Sequence, residues 1–443
     1  IVAASHFGPD DREEVAALVG AIGLAGGVAT VIAFSTSSGW SGGLDSLVSQ
    51  AYGSGNYAAA RTHLNQCQLW MTLLFPLVAV ILSFTENMLL WIGAAEPGMA
   101  KLSGQYVNAL LPGLWFDFQF GALRKFLTNQ GFATPALAVI CATTPSYILC
   151  VWGLLAIGAM EPAVALGAAW SMKAMLSFLL LGAYTSWVQP CPSCARWWWP
   201  CHRDAFSSKG LAIYARLGLP SLVCFCLNWW AWEVLTFIAG GLQDPQELAA
   251  FVAATGTTDW LFTVVRGTPE AATVLVGTAM GRGDPEGVLR VVRASFGFVI
   301  ALAAAIAVVM ITARPQVVSW LLPGEGPAQD ALYFLLPLVA LQVAIDSANT
   351  LCDSVMAGLG KQSDTSIGSF VCYWLVQLPL AWFLTRRAGL GVGALKVSAC
   401  VAGSLCFAYN MMILKKHMDP KQLSLGAPSE FAVGDYAAVR RAD

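Results

Sequence analysis

Charged residues are scarce in this sequence. Asp, Glu, Lys and Arg make up 11% of the 443 residues, whereas hydrophobic residues make up 57%. An average soluble domain carries about 25% charged residues, so this balance excludes an ordinary soluble enzyme or binding module. The net charge of −2 and the lack of a Lys/Arg block argue against a nucleic-acid partner. The composition predicts an all-α, multi-pass membrane protein surrounded by lipids.

The sequence also lacks the residue patterns that an enzyme or an ATP-driven pump needs. The four His residues lie outside the long apolar runs, and no nucleophile and base pair is apparent. The Gly-rich stretches "AYGSGN" and "AMGRGDP" lack the preceding strand and the following Lys-Ser/Thr of a P-loop. We therefore expect no enzyme activity, no cofactor and no internal ATP motor. Transport would be driven by an ion gradient.

Long apolar runs fill most of the chain. Each is about 20 residues or longer, which is enough for a helix to cross the hydrocarbon core, and Gly, Pro or charged residues bound it. They predict eleven spans, at residues 14–41, 66–92, 102–127, 134–157, 162–188, 211–240, 246–276, 288–312, 329–358, 364–385 and 390–414.

An internal repeat accounts for the odd number of spans. "GPDDREEVAALVGAIG" (8–23) aligns with "GLQDPQELAAFVAATG" (241–256), and "SLVSQAYGSGN" (46–56) aligns with "TVLVGTAMGRGD" (273–284). Such a parallel duplication predicts two six-helix bundles with the substrate path between them. The partner of span 211–240 would precede Ile1, so twelve helices are expected and the first is missing from this sequence. The predicted organisation is an N-terminal lobe (1–189), a linker (190–210), a C-terminal lobe (211–418) and a tail (419–443).

Basic residues and the linker indicate the orientation. Most Lys and Arg residues fall on one side of the predicted spans, together with the linker and the tail, and the positive-inside rule makes that side cytoplasmic. In the linker, Cys191, Cys194, Cys201 and His202 are conceivable zinc ligands, but their spacing is shorter than that of a zinc ribbon or finger. We predict no metal site and interpret the Trp residues at 197–199 as an interfacial belt.

Ionisable residues inside a span are expensive and usually functional. Glu233 lies among Trp residues, in surroundings that suit proton exchange or an organic cation. Asp346 precedes a run of small residues that permits close packing. Asp259 shares a helix face with Arg266 and Glu270, which form either a structural ion pair or a gating pair. We predict proton or cation coupling at Glu233, Asp346 and Asp259.

Several segments together resemble the multidrug and toxic compound extrusion (MATE) transporters, in their eukaryotic branch. They are "GLDSLVSQAYGSGNY" (43–57), "LPGLWFDFQFGALRKFLTNQGFATP" (111–135), "CLNWWAWEVLTFIAGGL" (226–242) and "DSANTLCDSVMAGLGKQ" (346–362). The resemblance implies twelve helices in two lobes around a central cavity. It also implies export of organic cations or other amphipathic compounds in exchange for protons, by alternating access.

The same resemblance assigns roles to residues. In the family's seventh helix a Glu-Trp-Trp sequence is followed by a second Glu, and here Asn228 replaces the first acid while Glu233 matches the second. Asp346 matches an acid of the tenth helix. The substitution at Asn228 marks a divergent member, and it leaves Na⁺ open as the coupling ion. The expected substrate contacts are Asn228, Trp229, Trp230 and Trp232.

Other interpretations remain open. One is a carrier of the same superfamily for organic acids or lipid-linked substrates. Another is a truncated, non-transporting product, because the first helix is missing. For the leading interpretation we expect a monomer in the plasma membrane or a vacuolar or other organellar membrane, with a small-molecule substrate and H⁺ as its partners.

Overall fold

The computed structural model describes residues 12–92, 96–158, 160–194, 203–240, 245–321, 326–387, 389, 391–419 and 423. These residues form helices joined by short turns, with no strand among them, which confirms the predicted all-α class. Nine helical stretches within the described ranges are long and apolar enough to cross a membrane. The predicted spans 102–127 and 246–276 lie in two further helices, of 32 and 38 residues, and they remain predictions as membrane crossings.

The described residues of the first half form eight α-helices, and each predicted span there has a helical counterpart. A π-helical segment, Thr30–Phe34, joins the first two of them. The helices are α1 (Arg12–Ala29), α2 (Ser35–Ser41), α3 (Gly43–Gly53), α4 (Tyr57–Ser83), α5 (Thr85–Ile92), α6 (Pro97–Thr128), α7 (Thr134–Ile157) and α8 (Pro162–Val188).

Within its described ranges, the second half forms eight more α-helices, which again match the predicted spans. A 3₁₀ turn, Arg203–Phe206, precedes them, and a π-helical segment, Phe370–Gln377, lies between α14 and α15. The helices are α9 (Ser208–Gly240), α10 (Pro245–Arg282), α11 (Pro285–Thr312), α12 (Arg314–Leu321), α13 (Pro327–Leu359), α14 (Gln362–Ser369), α15 (Leu378–Arg386) and α16 (Gly393–His417).

The turns after α3 and α10 have the same geometry. Gly55 and Gly283 have φ values of 75° and 67°, a left-handed conformation that glycine adopts without steric strain. After α3, Gly55 N donates to Tyr52 O at 3.1 Å, and after α10, Gly283 N donates to Met280 O at 3.0 Å. A second bond reaches one residue further back in each turn, from Asn56 N and from Asp284 N. The structure therefore repeats the turn that the duplicated sequence predicts.

The chain divides into two compact units. The first comprises residues 1–44 and 57–222, and the second comprises 45–56 and 223–443. The units therefore do not coincide with the predicted lobes, since residues 45–56, with most of α3, belong to the second unit and residues 190–222 belong to the first. Most of the predicted tail, and Cys201 and His202 of the linker, lie outside the described residues.

Buried apolar side chains form the core of each unit. In the first unit α6 packs along α8 and also contacts α4 and α1. In the second unit α13 packs against α10, α11 and α16. Its core includes Leu336, Val343 and Leu351 of α13 together with Val265 and Val276 of α10. Because α13 lies among these helices, its polar side chains are directed into the packed interior of the second unit.

Candidate functional site

The candidate site lies in the second unit, around the middle of α13. Asp346 is half-buried there, and its Oδ2 accepts a hydrogen bond from Gln342 Nε2 at 3.2 Å. The spacing of four residues places both side chains on the same helix face. That face is directed at α16, because a Cβ atom added at Gly403 would lie 3.6 Å from Asp346 Oδ1. Glycine at this position lets α16 approach the carboxylate.

A buried cation, Lys396 on α16, completes this polar group. Its side chain is 2% exposed, and Nζ donates to Thr258 Oγ1 and to Gln342 Oε1, both at 3.2 Å. Nζ also lies 5.5 Å from the centre of the Phe251 ring, within the range of a cation–π interaction. Gln342 therefore bridges the ammonium of Lys396 and the carboxylate of Asp346.

The sequence analysis did not single out Lys396. A Lys near one end of an apolar run usually extends its ammonium to the membrane surface, so its burial cannot be inferred from position alone. One signal was present, since "GALKVSACVAG" places a single charge inside an otherwise apolar and small-residue stretch. An ionisable residue in such a run is a functional candidate by default.

Two further acids join this group electrostatically. Asp259 on α10 is exposed in the structure, and it interacts with Lys396 and with Asp346. Glu233 on α9 is half-buried and interacts with Asp259. The structure thus brings together the three acids that we predicted as coupling residues, and it adds a cation among them. Three carboxylates and one ammonium give this group more acidic than basic side chains, and such an excess attracts a proton or a cation.

The predicted substrate contacts on α9 have different surroundings. Trp229 and Trp230 are 40% and 37% exposed, and Trp229 stacks on Phe225 with ring centres 5.6 Å apart. Trp232 is partly buried, 6.4 Å from the Tyr373 ring. Asn228 Nδ2 lies 3.6 Å from Cys224 Sγ. Trp229 and Trp230 are therefore partly exposed, whereas Trp232 belongs to the packing of the unit.

Arg266 and Glu270 form an ion pair on α10. Arg266 Nε lies 3.2 Å from Glu270 Oε1, as the spacing of four residues predicts. Their side chains are 42% and 57% exposed, so the pair does not share the enclosed surroundings of Lys396. A gating role for the pair remains a prediction.

Two of the cysteines considered as zinc ligands are bonded to each other. Cys191 and Cys194 form a disulfide, and Arg61 Nε of α4 donates to the carbonyl of the intervening Ser193 at 3.0 Å. A disulfide sulfur is not a thiolate ligand. In the part of the chain that the structure describes, no group of three His, Cys, Asp or Glu side chains is arranged to hold a metal ion.

Comparisons with known proteins cover both halves of the chain. The MatE family model matches residues 13–152 and 220–383. The chain is 25% identical to protein DETOXIFICATION 15 of Arabidopsis thaliana, over 94% of this chain and 85% of that protein. It is 27% identical to multidrug and toxin extrusion protein 2 of Mus musculus, over 89% of this chain and 68% of that protein. The fold is similar to that of the eukaryotic MATE transporter AtDTX14, with a TM-score of 0.85 and 20% identity over 96% of this chain and 92% of that chain.

Proposed function

Because this chain belongs to the MatE family, we propose that it exports organic cations or other amphipathic compounds in exchange for protons. It is a multi-pass membrane transporter and not an enzyme. The relatives named above are detoxification and multidrug extrusion proteins, which supports an amphipathic small molecule as the substrate. Proton coupling and the class of substrate are the proposal.

One observation supports the proposal most strongly. Asp346 is bridged by Gln342 to the buried ammonium of Lys396, and Asp259 interacts with both charges. A carboxylate held inside a membrane protein binds a cation or a proton, because either one neutralises a charge that the surroundings solvate poorly. Lys396 offsets one of the three negative charges. Two further positive charges, from protons or a bound cation, would make the group electrically neutral.

Exchange follows from competition for these carboxylates. A proton on Glu233 or Asp346 removes the charge that attracts a cationic substrate, and a bound substrate cation disfavours protonation of the same group. Each occupant therefore lowers the affinity for the other, and this linkage is reciprocal. When the binding unit faces the two sides of the membrane in turn, a proton that binds from the side of higher proton concentration displaces the substrate to that side, and the proton is later released on the other side.

The aromatic residues of α9 would contribute binding energy rather than coupling. The exposed faces of Trp229 and Trp230 are suited to flat or cationic organic molecules. Asn228 can donate or accept a hydrogen bond, but its amide does not gain or lose a proton near neutral pH. We therefore assign orientation of the substrate to Asn228 and proton binding to Glu233.

The test is uptake of a fluorescent organic cation by proteoliposomes with an acidic interior. The wild-type protein should accumulate the cation until an ionophore collapses the pH gradient. Glu233→Gln should lose at least about 90% of the initial rate, because an amide cannot carry the proton. Glu286→Gln changes an exposed acid in the first turn of α11 and should keep the wild-type rate. Wild-type accumulation that ignores the pH gradient but follows an imposed Na⁺ gradient would contradict proton coupling.

A carrier for organic acids is the second candidate, and Lys396 favours it. An interior ammonium attracts a carboxylate substrate as readily as it offsets Asp346. The bonds from Lys396 to Thr258 and Gln342 weaken this alternative, because they enclose the ammonium within the unit. Uptake of a radiolabelled tricarboxylate that exceeds uptake of the cation would replace the first proposal with this one.

A further inference from the structure

A row of polar side chains continues along α13 beyond Asp346. Gln342, Asp346, Asn349 and Asp353 are spaced by four, three and four residues, which keeps them on one face of the helix. The face is directed at α16, where Asn349 Nδ2 donates to Gly403 O at 2.9 Å. With a rise of 1.5 Å per residue, Asp353 lies about 10 Å further along the helix axis than Asp346.

Asn410 of α16 links the two polar residues at the far end of the row. Its Nδ2 lies 3.3 Å from Asn349 Oδ1 and 3.4 Å from Asp353 Oδ1. Asn410 is fully buried, and its own Oδ1 has no hydrogen-bond partner. A buried amide oxygen without a donor is unfavourable by about 1–3 kcal/mol, so the site calls for a donor or a cation beside it.

Hydroxyl and thiol side chains surround the carboxylate of Asp353. The hydroxyl of Thr365 on α14 interacts with the carboxylate, and it donates a hydrogen bond to Gln362 O at 3.1 Å. Among the described residues, no basic side chain interacts with it. The titratable groups that face it are Cys224 of α9, Cys352 of α13, Cys406 of α16 and Tyr373 of the π-helical segment. None of these is a cation, so the carboxylate of Asp353 lacks the counter-charge that Lys396 gives to Asp346.

We propose that Asp353, Asn349 and Asn410 form a second binding station for the coupling ion, a monovalent cation that passes between Asp346 and the C-terminal end of α13. The station is the group of these three residues. A proton on Asp353, or a small hydrated cation beside it, neutralises the carboxylate that Asn410 Nδ2 already contacts. The inference rests on the proposed ion-coupled export.

The direction of the row agrees with an ion path. α13 ends at Leu359, next to Lys361, on the side that the basic residues mark as cytoplasmic. Asp353 is therefore closer than Asp346 to the water on that side. An ion released from Asp346 would reach Asp353 before it leaves the protein.

Two transport measurements, gradient-driven uptake and substrate exchange, distinguish ion binding at Asp353 from a structural role. Asp353→Asn should slow uptake driven by a pH gradient by about tenfold, because the gradient acts only through ion movement. Exchange of labelled for unlabelled substrate needs no net ion movement and should stay within about twofold of wild type. Asp353→Glu should restore driven uptake. Asp364→Asn removes an acid near the same end of α13, one that pairs with His417 at 2.9 Å, and should leave both modes unchanged.

Three results would overturn the inference or its premise. Wild-type rates of Asp353→Asn in both modes would show that the row carries no coupling ion. If the wild-type protein itself shows no gradient-driven uptake, that result would instead contradict the proposed function. If Asp353→Asn does not fold, Asn410→Leu decides, since it keeps the acid but removes the amide, and an unchanged driven rate in that variant would overturn the station.

A binding measurement identifies the ion. Purified wild-type protein in weakly buffered detergent should release protons when the fluorescent cation is added, and Asp353→Asn should release fewer. If ²²Na⁺ binds to the wild-type protein and less of it binds to Asp353→Asn, the ion is sodium. Equal proton release and equal ²²Na⁺ binding by the two proteins would overturn the station.

Discussion

The two units carry the same pair of charges on corresponding helices but surround it differently. In the first unit Asp117 of α6 interacts electrostatically with Lys173 of α8. In the second unit Asp346 of α13 interacts with Lys396 of α16. α6 and α13 are the corresponding helices of the sequence repeat, and so are α8 and α16. An acid opposite a lysine is therefore a feature of the duplicated fold itself.

The difference lies in what accompanies each pair. Lys396 has two hydrogen-bonding partners, Asp259 interacts with it as a second acid, and Glu233 interacts with Asp259. The interior of the first unit contains amides instead, and Gln68 and Gln119 are fully buried there. The duplicated helices thus carry similar charges, whereas the proposed ion coupling concerns the second unit.

Replacing each acid by its amide should separate the units most clearly. Asp346→Asn should reduce gradient-driven uptake by about 100-fold, because removing a group that exchanges the coupling ion eliminates the driving step. Asp117→Asn should reduce it by no more than about threefold. Initial rates in proteoliposomes at equal protein density measure both. Equal losses would mean that both units couple ions, and the comparison above would fail.

Replacing each lysine by methionine should give the next largest effect, on stability. Lys396→Met removes two hydrogen bonds from a charged donor in a buried site and should lower the free energy of unfolding by about 3 kcal/mol. Lys173→Met should lower it by less than about 1 kcal/mol, because Lys173 is half-buried. Thermal unfolding in detergent compares the two variants. A larger loss of stability in Lys173→Met would contradict the conclusion that Lys396 has the more enclosed site.

The contact between α3 and α10 should respond equally to changes in either repeat. A Cβ atom at Gly53 would overlap the backbone of Thr278, and one at Gly281 would overlap the backbone of Gln50. Gln50 and Thr278 are themselves corresponding positions in the repeat. Gly53→Ala and Gly281→Ala should each destabilise the protein by about 1–3 kcal/mol through overpacking. Unfolding temperatures that differ by more than measurement error would show that the two crossings are not equivalent.

The ion pair on α10 should matter least. Arg266→Gln and Glu270→Gln should each change stability by less than about 0.5 kcal/mol, because both side chains are about half exposed. Unchanged transport in both variants would leave the pair a structural feature. If each single variant loses transport and the double variant loses no more than either one, the predicted gating role is supported.

Periodicity and composition were sufficient for the helices. Each of the eleven apolar runs corresponds to helices in the described residues, and the Gly-containing turns recur where the repeat predicts them. Asp346, Asp259 and Glu233 stood out because a charge in an apolar run is unusual. Their proximity did not follow from that pattern, since they belong to three different helices.

Lys396 and Asp353 show where prediction from sequence stops. Lys396 lies near a helix end, and only the packing of α10 and α13 against α16 shows that its ammonium is buried. The spacing places Asp353 on the helix face of Asp346, but only the contact with Asn410 shows that this part of the face packs against α16.

The amino-acid sequence by itself determined the membrane environment, the helices and the duplication. These follow from hydrophobicity and from local backbone preferences, which act between residues close together in the chain. Tertiary structure decided which charged residues meet, because helix packing brings together side chains that are far apart in the chain, as Gln342 and Thr258 are 54 and 138 residues from Lys396. It also decided that one ammonium is enclosed and one carboxylate lacks a counter-charge, since burial depends on every neighbouring helix and not on the residue's own segment.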